Sequence, residues 1–248
     1  MSEKSLRKVL TELFFQVNYT CNSCGKEIFN GEYFCDDCEK ILPYIKTERC
    51  DHCGRITAYS VNYCNSCIEK NINFDKARSA FDYEMPISAL IKGFKYDGKR
   101  YLSEVFANEL KKIYVREFML ADVIVYVPMT EERLKERGYN QAELIAEELS
   151  ELISVPVSHN ALKKTRETPR QANLTKQERR NNLRKSFTAY KNEIEGKNVL
   201  LIDDVLTTGA TADIISMLLK RKGAKTVTVL TVASVQNEGL KKKEEQNE

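Results

Sequence analysis

Apolar residues in the second half of the chain follow two patterns. Continuous apolar runs occupy 123–127 and 199–202, and a β-branched run follows at 225–235; such runs are typical of strands buried on both faces of a parallel sheet. Between them, apolar residues recur three or four positions apart, which is the spacing of one helix face. A short strand is also predicted at 80–83, with a helix beginning near Pro86. The alternation predicts an α/β fold in which helices flank a parallel sheet.

The run at 199–202 ends in two adjacent carboxylates, Asp203 and Asp204, and then opens into a hydroxyl-rich turn before the next helical pattern. Residues at the carboxyl end of a buried parallel strand face the crevice where such sheets bind ligands. The following helix offers unpaired N–H groups to an anion. The turn residues expected to hold a phosphate are Thr207, Thr208, Gly209, Ala210 and Thr211.

Carboxylates repel a phosphate, so Asp203 and Asp204 are expected to accept hydrogen bonds from sugar hydroxyls or to reach magnesium directly or through water. A capped turn with two solvated aspartates would explain any one feature of this stretch. The combination of apolar run, acidic pair and hydroxyl-rich turn, in this order, favours a ligand site. The stretch resembles the phosphoribosyl pyrophosphate (PRPP) motif of type I phosphoribosyltransferases. The resemblance implies that the acidic pair binds the ribose hydroxyls and that residues 207–211 cradle the 5-phosphate.

Composition sets wide limits. A chain of 248 residues with a hydrophobic fraction of 42% suits one large domain, or a medium domain with a small satellite. The formal charge of +3 does not by itself indicate a nucleic-acid-binding protein. Neither a signal peptide nor an apolar run of about 18 residues is visible, so we expect a cytoplasmic protein without membrane insertion.

All 8 cysteines lie between Cys21 and Cys67, in four Cys-x-x-Cys pairs with ten residues separating the pairs of each half. In a reducing compartment this regularity favours metal over disulfides, and four copies make redox chemistry a poor alternative. Four thiolates close a tetrahedral zinc shell, so two structural zinc ions are expected. Consecutive and interleaved pairing both satisfy the spacing, and His52 is expected at the surface. The predicted ligands are Cys21, Cys24, Cys35, Cys38, Cys50, Cys53, Cys64 and Cys67.

The pattern also divides the chain. Apolar residues over 6–17 are spaced for a short helix that packs on the cysteine module, and the polar stretch 69–76 is expected to separate this module from the rest. We therefore predict an N-terminal zinc module over 1–70 and a phosphoribosyltransferase-like domain over 71–248.

Two basic segments are candidates for binding pyrophosphate. The first follows the strand at 123–127 and contains Arg133, Arg137, Asn140 and Gln141, which sit either beside the crevice or in an ordinary charged helix entry. The second, 162–185, carries nine basic residues against two acidic ones. It is a solvated charge run, a loop that closes over pyrophosphate, or a track for a nucleic-acid backbone.

Several stretches resemble the ComF group within the phosphoribosyltransferase superfamily. Lys95 and Tyr96, in a glycine-punctuated segment expected to form a loop, resemble its hood region, and the run from Pro128 to Gln141 is the most characteristic match. The order of residues over 165–183 is also similar, although Lys164 stands where the pattern usually has arginine. The resemblance implies a set of residues that bind pyrophosphate or belong to the flexible loop. They are Arg133, Arg137, Asn140, Gln141, Lys164, Arg166, Gln171 and Arg179.

The order of a zinc-ribbon module followed by a type I phosphoribosyltransferase-like domain resembles the ComF/ComFC competence proteins over nearly the whole chain. That family implies a role in the uptake of transforming DNA. The expected ligands are PRPP or a related ribose phosphate with magnesium, and single-stranded DNA or a partner of the uptake machinery. The alternative is an active transferase in which an acceptor displaces pyrophosphate from the ribose. No base-reading motif is recognisable, and no acceptor or catalytic residue is identified.

Overall fold

The computed structural model describes residues 20–29, 31–45, 48–166 and 176–236. The helix predicted over 6–17 lies outside these ranges, as does Gln171. Within the described ranges, the helices are too short or too polar to cross a lipid bilayer.

The central element is a four-stranded sheet in which all neighbouring strands run parallel. A separate antiparallel pair, β3 with β4, stands beside it. The spatial order of the main sheet is β1, β6, β5, β2. In chain order, the strands are β1 (Lys76–Asp82), β2 (Val123–Tyr126), β3 (Leu162–Lys164), β4 (Phe187–Ala189), β5 (Asn198–Leu206) and β6 (Thr226–Ser234).

Helices flank this sheet, which confirms the predicted α/β class. Two short helices lie among the cysteines, and the remaining helices of the described ranges connect the strands. They are α1 (Asp36–Ile41), α2 (Asn65–Lys70), α3 (Ile87–Tyr96), α4 (Leu102–Arg116), α5 (Glu131–Arg137), α6 (Gln141–Ile153), α7 (Lys176–Lys185) and α8 (Ala210–Arg221).

The core has two halves because successive residues of a strand face opposite sides of the sheet. In β5, Leu200 and Ile202 pack with apolar residues of α3, α4 and α6. Val199 and Leu201 pack on the other face with residues of α8 and of the β3–β4 pair. A strand buried on both faces needs a continuous apolar run, and this is the pattern that the sequence shows there.

The cysteine residues form two units that dock on the sheet. The first cysteine unit (residues 20–45) contributes to the core of α4 and α6, and the second cysteine unit (residues 48–70) to the core of α8. Both units bond the outer edge of β1: the Ile45 amide donates to the Ala80 carbonyl over 3.1 Å, and the Ala77 amide donates to the His52 carbonyl over 2.7 Å. The edge strand is thereby covered.

The polar segment expected to separate the modules is packed instead. Phe74 is buried. The amide of Asn73 donates to Asp213 Oδ1 over 2.7 Å, and Asp75 accepts from Val227 and from Lys220. Its polar residues bind β6 and α8, so polarity here reflects partners in the sheet domain and not an exposed linker.

A buried charge cluster joins the second cysteine unit to the sheet domain. Glu117 accepts from Arg78 Nε and Lys76 Nζ, at 2.9 and 2.8 Å, and also pairs with Arg49. The Arg78 side chain is only 3% exposed, and it also donates to the carbonyl of Asp51. Burial opposes ionisation of Glu117, but the hydrogen bond from Lys76 and the charge of Arg78 lower its pKa to about 2.

Candidate ligand site at the carboxyl end of the sheet

The acidic pair lies where β5 loses one neighbour. The sequence predicts that the strand ends at Ile202, and this is wrong, because β5 continues to Leu206. Strand β2 pairs only as far as Ile202, whereas β6 continues beside β5, placing Asp203 opposite Thr231. The added pairing with β6 keeps the segment extended. Asp203 and Asp204 therefore lie past the last residue of β2, at the carboxyl end of the sheet, where sheets of this kind bind ligands.

Lys95 reaches the acidic pair directly. Its Nζ lies 2.9 Å from each carboxylate oxygen of Asp204. The two side chains are 22% and 15% exposed, so the pair is largely shielded from water. Lys95 and Tyr96 were expected in a loop, but they form the last turn of α3. The apolar face of α3 extends to Phe94, which is fully buried, and this packing carries the helix past the glycine at position 93.

The carboxyl group of Asp203 is hard to ionise in the ligand-free protein. Removal from water and the adjacent charge of Asp204 raise its pKa to about 7. The charges of Lys95 and Lys164 act in the opposite direction, as does a hydrogen bond from the Asp204 amide. A cation or a hydroxyl donor bound here would favour the ionised form of Asp203.

The turn after β5 has the conformation that an anion-binding loop needs. Gly209 adopts a positive φ of 78°, and α8 begins at the next residue, Ala210. Thr207 and Thr208 are exposed at this helix end, and the Thr208 hydroxyl accepts from the Ala210 amide over 3.4 Å. Thr211 lies in the first turn of α8. The predicted order of strand, turn and helix is present, and the phosphate contacts stay a prediction.

The residues after β2 divide into exposed and buried groups. They form two helices, α5 and α6, because Gly138 breaks the chain direction with a φ of 81°. Arg133 lies exposed in the first half of α5. Arg137, at its end, stacks over the Tyr96 ring with 5.1 Å to the centroid. This contact places Arg137 against the last turn of α3, the turn that also carries Lys95.

Asn140 and Gln141 are buried and use their side chains internally. Asn140 Oδ1 accepts from the Ala142 amide over 3.0 Å and so caps α6. Gln141 Oε1 accepts from Arg137 Nη1 over 2.8 Å. Their expected contacts with pyrophosphate are untested, and the geometry favours a role in orienting Arg137 and the start of α6.

The described part of the basic segment 162–185 contains β3 and α7, and β4 follows it directly. Lys164 lies close enough for its charge to act on Asp203. Arg166 is exposed, and the side chain of Arg179 lies outside the described part of α7. Arg180 pairs with Asp213 over 2.7 Å. Because Asp213 is in the first turn of α8, this ion pair ties the basic segment to the helix of the phosphate turn.

Two groups of four thiols form in the order of the chain. Within each group, all four Sγ atoms lie within 4.8 Å of one another. The consecutive pairing is therefore the one present, and His52 instead stacks on Phe74, with ring centroids 5.2 Å apart. The groups are Cys21, Cys24, Cys35, Cys38 and Cys50, Cys53, Cys64, Cys67.

The thiol spacing fits tetrahedral zinc. Zinc bound to sulfur at about 2.3 Å gives sulfur–sulfur edges of about 3.8 Å. The observed separations are 3.8 Å for Cys24 and Cys35, 3.8 Å for Cys53 and Cys64, and 3.6 Å for Cys64 with Cys67. Such closed sets of four thiolates leave no position for water, so the chemistry they support is structural.

A small cavity separates the second cysteine unit from the phosphate turn. One wall is formed by residues 206–209, and the facing wall includes Arg55, Lys70 and Phe74. The sequence does not predict this proximity, because it joins positions about 150 residues apart. The only local signal is a basic residue directly after the knuckle Cys53-Gly54.

Comparison with family models identifies both halves of the chain. A double zinc ribbon domain matches residues 11–68. A phosphoribosyl transferase domain matches residues 135–247. Together with the thiol geometry, the first match confirms the zinc-ribbon module. The second agrees with the parallel sheet and with the strand, turn and helix that carry the acidic pair.

Three curated proteins are similar over most of their length. Competence protein F of Haemophilus influenzae is 32% identical over 87% of this chain and 97% of its own. DNA utilization protein YhgH of Escherichia coli O157:H7 is 31% identical over 84% of this chain and 94% of its own. Competence protein ComFC of Bacillus subtilis is 29% identical over 77% of this chain and 80% of its own.

Proposed function

Because the chain belongs to the family of competence protein F and ComFC, we propose that it serves DNA uptake in natural transformation by binding PRPP, or a related ribose phosphate, with magnesium. Its second ligand in this proposal is single-stranded DNA, handled together with the uptake machinery. In this proposal the chain has two domains, a zinc module over 1–70 and a phosphoribosyltransferase-like domain over 71–248. The proposed compartment is the cytoplasm, where clustered thiols stay reduced and free to bind zinc.

The observation that supports this ligand is the order of acidic, hydroxyl and basic groups at the carboxyl end of β5. Asp203 and Asp204 offer acceptors to ribose hydroxyls, and residues 207–211 offer hydroxyls and a helix N-terminus to the 5-phosphate. Lys95, which pairs with Asp204, and Arg137, which stacks on Tyr96, supply positive charge for pyrophosphate in this proposal. A sugar carrying an anion at each end matches this order of donors and acceptors.

Magnesium fits the same residues. The carboxylate oxygens of Asp203 and Asp204 are the hard ligands that it prefers, and a bound cation would offset the burial and the Asp204 charge that raise the pKa of Asp203. Bound magnesium would neutralise charge on the pyrophosphate group. Lys95 already holds Asp204, so this lysine is placed to turn from the carboxylate to the incoming anion.

Isothermal titration of PRPP with magnesium tests this proposal. Asp204→Asn keeps the shape of the side chain and removes its charge, and binding should weaken about 10- to 100-fold, the range for a lost hydrogen bond to a charged group. Asp97→Asn, an exposed aspartate beyond α3, is the matched control and should bind as the wild type does. Equal affinity of the Asp204 variant and the control would refute the proposed site.

The proposed DNA surface rests on exposed cations of the β3–α7–β4 segment. Lys163, Arg166, Arg184 and Lys185 are all exposed. Tyr190 is 44% exposed and lies near Lys163, which combines a stacking surface with positive charge. Single strands, which present phosphates and unpaired bases together, suit such a surface.

Salt dependence of binding to oligothymidylate measures this contribution. Each phosphate contact adds about −0.7 to the slope of log affinity against log salt for single strands. A variant with Lys163, Arg166, Arg184 and Lys185 changed to Gln should therefore lose up to about 3 from that slope. An unchanged slope would reject the DNA surface and leave a protein partner as the occupant.

Pyrophosphate release separates a binding protein from a transferase. The acidic pair and its neighbouring cations would serve either role, since both must hold the same ligand. A panel of bases and amines should leave the release rate unchanged if the site only binds PRPP. Stimulation by any one of them would instead establish transfer to that acceptor.

A further inference from the structure

We propose that the second cysteine unit is part of the ligand site, with Arg55 and Lys70 binding the phosphate group that residues 207–209 receive. The inference rests on the proposed function, because it assigns two further residues to the same ribose phosphate. It gives the zinc module a direct part in holding a small anion.

Geometry supplies the first argument. The cavity next to the phosphate turn has Leu206, Thr207, Thr208 and Gly209 on one side. Arg55 and Lys70 line the same cavity. Both are half-buried. A phosphate seated on the turn would therefore meet the helix N-terminus on one side and two cationic side chains on the other.

Charge supplies the second argument. Residues 207–211 contain no cation, and the carboxylates immediately before them repel an anion. Arg55 donates from Nη1 to the Ser66 hydroxyl over 3.2 Å, and neither Arg55 nor Lys70 has a carboxylate partner within the described ranges. Uncompensated positive charge that lines a shielded cavity is stabilised by an anion.

The zinc clusters determine where these cations stand. Arg55 comes two residues after Cys53, and its carbonyl accepts from the Cys50 amide over 2.9 Å. Lys70 ends α2, the helix that begins after Cys64 and carries Cys67. Both cations are thus attached to segments that the second zinc cluster holds, so their positions depend on that metal.

Contacts with the sheet set the distance to the turn. Gly54 has a φ of 70°, and a Cβ at this position would come within 2.6 Å of the Ala77 carbonyl oxygen. The Ile56 amide donates to Gln236 Oε1 over 2.9 Å, and Gln236 Nε2 donates to the Ser234 hydroxyl over 2.6 Å. The knuckle is therefore fixed against β1 and against the end of β6.

The size of the cavity selects the chemical class of the ligand group. Its volume is about 30 Å³, room for about two water molecules by the usual measure. A single phosphoryl group, comparable in size to about two water molecules, suits this space. The ribose 5-phosphate end of PRPP is the part that fits, since the acidic pair just before the turn is suited to the sugar hydroxyls.

Calorimetric titration with ribose 5-phosphate and, separately, inorganic pyrophosphate tests the assignment, each in magnesium and with the zinc-loaded full chain. Arg55→Met with Lys70→Met keeps the apolar stems and removes both charges. We expect affinity for ribose 5-phosphate to fall about 10- to 100-fold, with pyrophosphate binding unchanged. Lys26→Met with Lys40→Met, both exposed in the first cysteine unit, is the matched control and should bind both ligands normally.

The outcomes separate this inference from the proposed function. Wild-type affinity in the Arg55/Lys70 variant, with binding still dependent on Asp204, would overturn the inference alone. Failure of the wild type to bind either anion would overturn both. Zinc content is measured in each variant. If the double variant loses an ion, the titration is repeated with Lys70→Met alone. This change lies at the end of α2 and is expected to leave the thiols in place.

Discussion

At the scale of single residues, the site is governed by two adjacent carboxylates that share one nearby ammonium group. Lys95 contacts both oxygens of Asp204, while Asp203 has its pKa raised to about 7 by burial and by the neighbouring charge. The ligand-free protein therefore carries an acidic pair whose charge is incompletely balanced. A ligand that brings a cation or hydroxyl donors would stabilise the ionised carboxylates.

Replacement of Asp203 should stabilise the ligand-free protein in a pH-dependent way. A carboxyl group with a raised pKa costs stability as pH rises from its unfolded value, 3.8, through about 7. Asp203→Asn removes that cost, so its melting temperature should exceed that of the wild type at pH 8 by about 2 to 4 °C per kcal/mol relieved. At pH 5.5, where the group is protonated in the folded state but ionised in the unfolded state, about half of that difference should remain, and it should nearly vanish only below the unfolded pKa.

Thermal unfolding of zinc-loaded protein without magnesium or PRPP gives this comparison. Asp97→Asn, at an exposed position, controls for the general effect of removing one negative charge. A stability gain for Asp203→Asn that is equal at both pH values would show that the carboxyl group does not titrate as described.

At the scale of elements, the buried cluster around Glu117 fixes the second cysteine unit against β1 and α4. Glu117→Gln would leave the guanidinium of Arg78, only 3% exposed, with the carboxylate of Asp51, which is 3.8 Å away and 63% exposed. Removal of one partner from a buried ion pair typically costs about 3 to 5 kcal/mol. Urea unfolding should show a loss of about 3 kcal/mol, because Gln preserves the shape and one acceptor.

Glu195→Gln is the control for this change. Its partner Lys191 lies four residues earlier in a turn, and both side chains are 60% exposed, so the loss should stay below about 0.5 kcal/mol. Similar losses for the two variants would mean that the Glu117 cluster contributes no more than a surface pair.

Local patterns in the sequence were enough for some elements of the site and not for others. The apolar run before Asp203 and Gly209 after the threonines predict the strand, the turn and the start of α8 without any distant information. The extension of β5 to Leu206 depends on pairing with β6, and the extension of α3 to Lys95 depends on burial of Phe94. Such tertiary contacts leave no mark on the local periodicity.

At the scale of the whole molecule, the two cysteine units pack on opposite faces of one sheet. The spacing of the cysteines predicts their metal but not this placement, since the sequence carries no signal for which surface each unit covers. The approach of Arg55 to residues 207–209 is a consequence of that placement. Both cysteine units therefore contribute residues to the core around the sheet.

Zinc stoichiometry tests the consecutive arrangement of thiols. Native mass spectrometry under reducing conditions should find two zinc ions in the wild type, one for each group of four thiols. Cys24→Ser should lose one ion and Cys53→Ser the other, each variant retaining a single ion, because the groups share no ligand. Loss of both ions from either single variant would contradict two independent sites.

The most direct measurement is a crystal structure of the chain with PRPP and magnesium. The proposed function predicts the 5-phosphate on residues 207–211, the ribose hydroxyls or magnesium on Asp203 and Asp204, and Lys95 released from Asp204 toward the pyrophosphate. PRPP bound elsewhere, or an acidic pair still closed by Lys95 at saturating ligand, would contradict the proposal that this crevice is the ligand site.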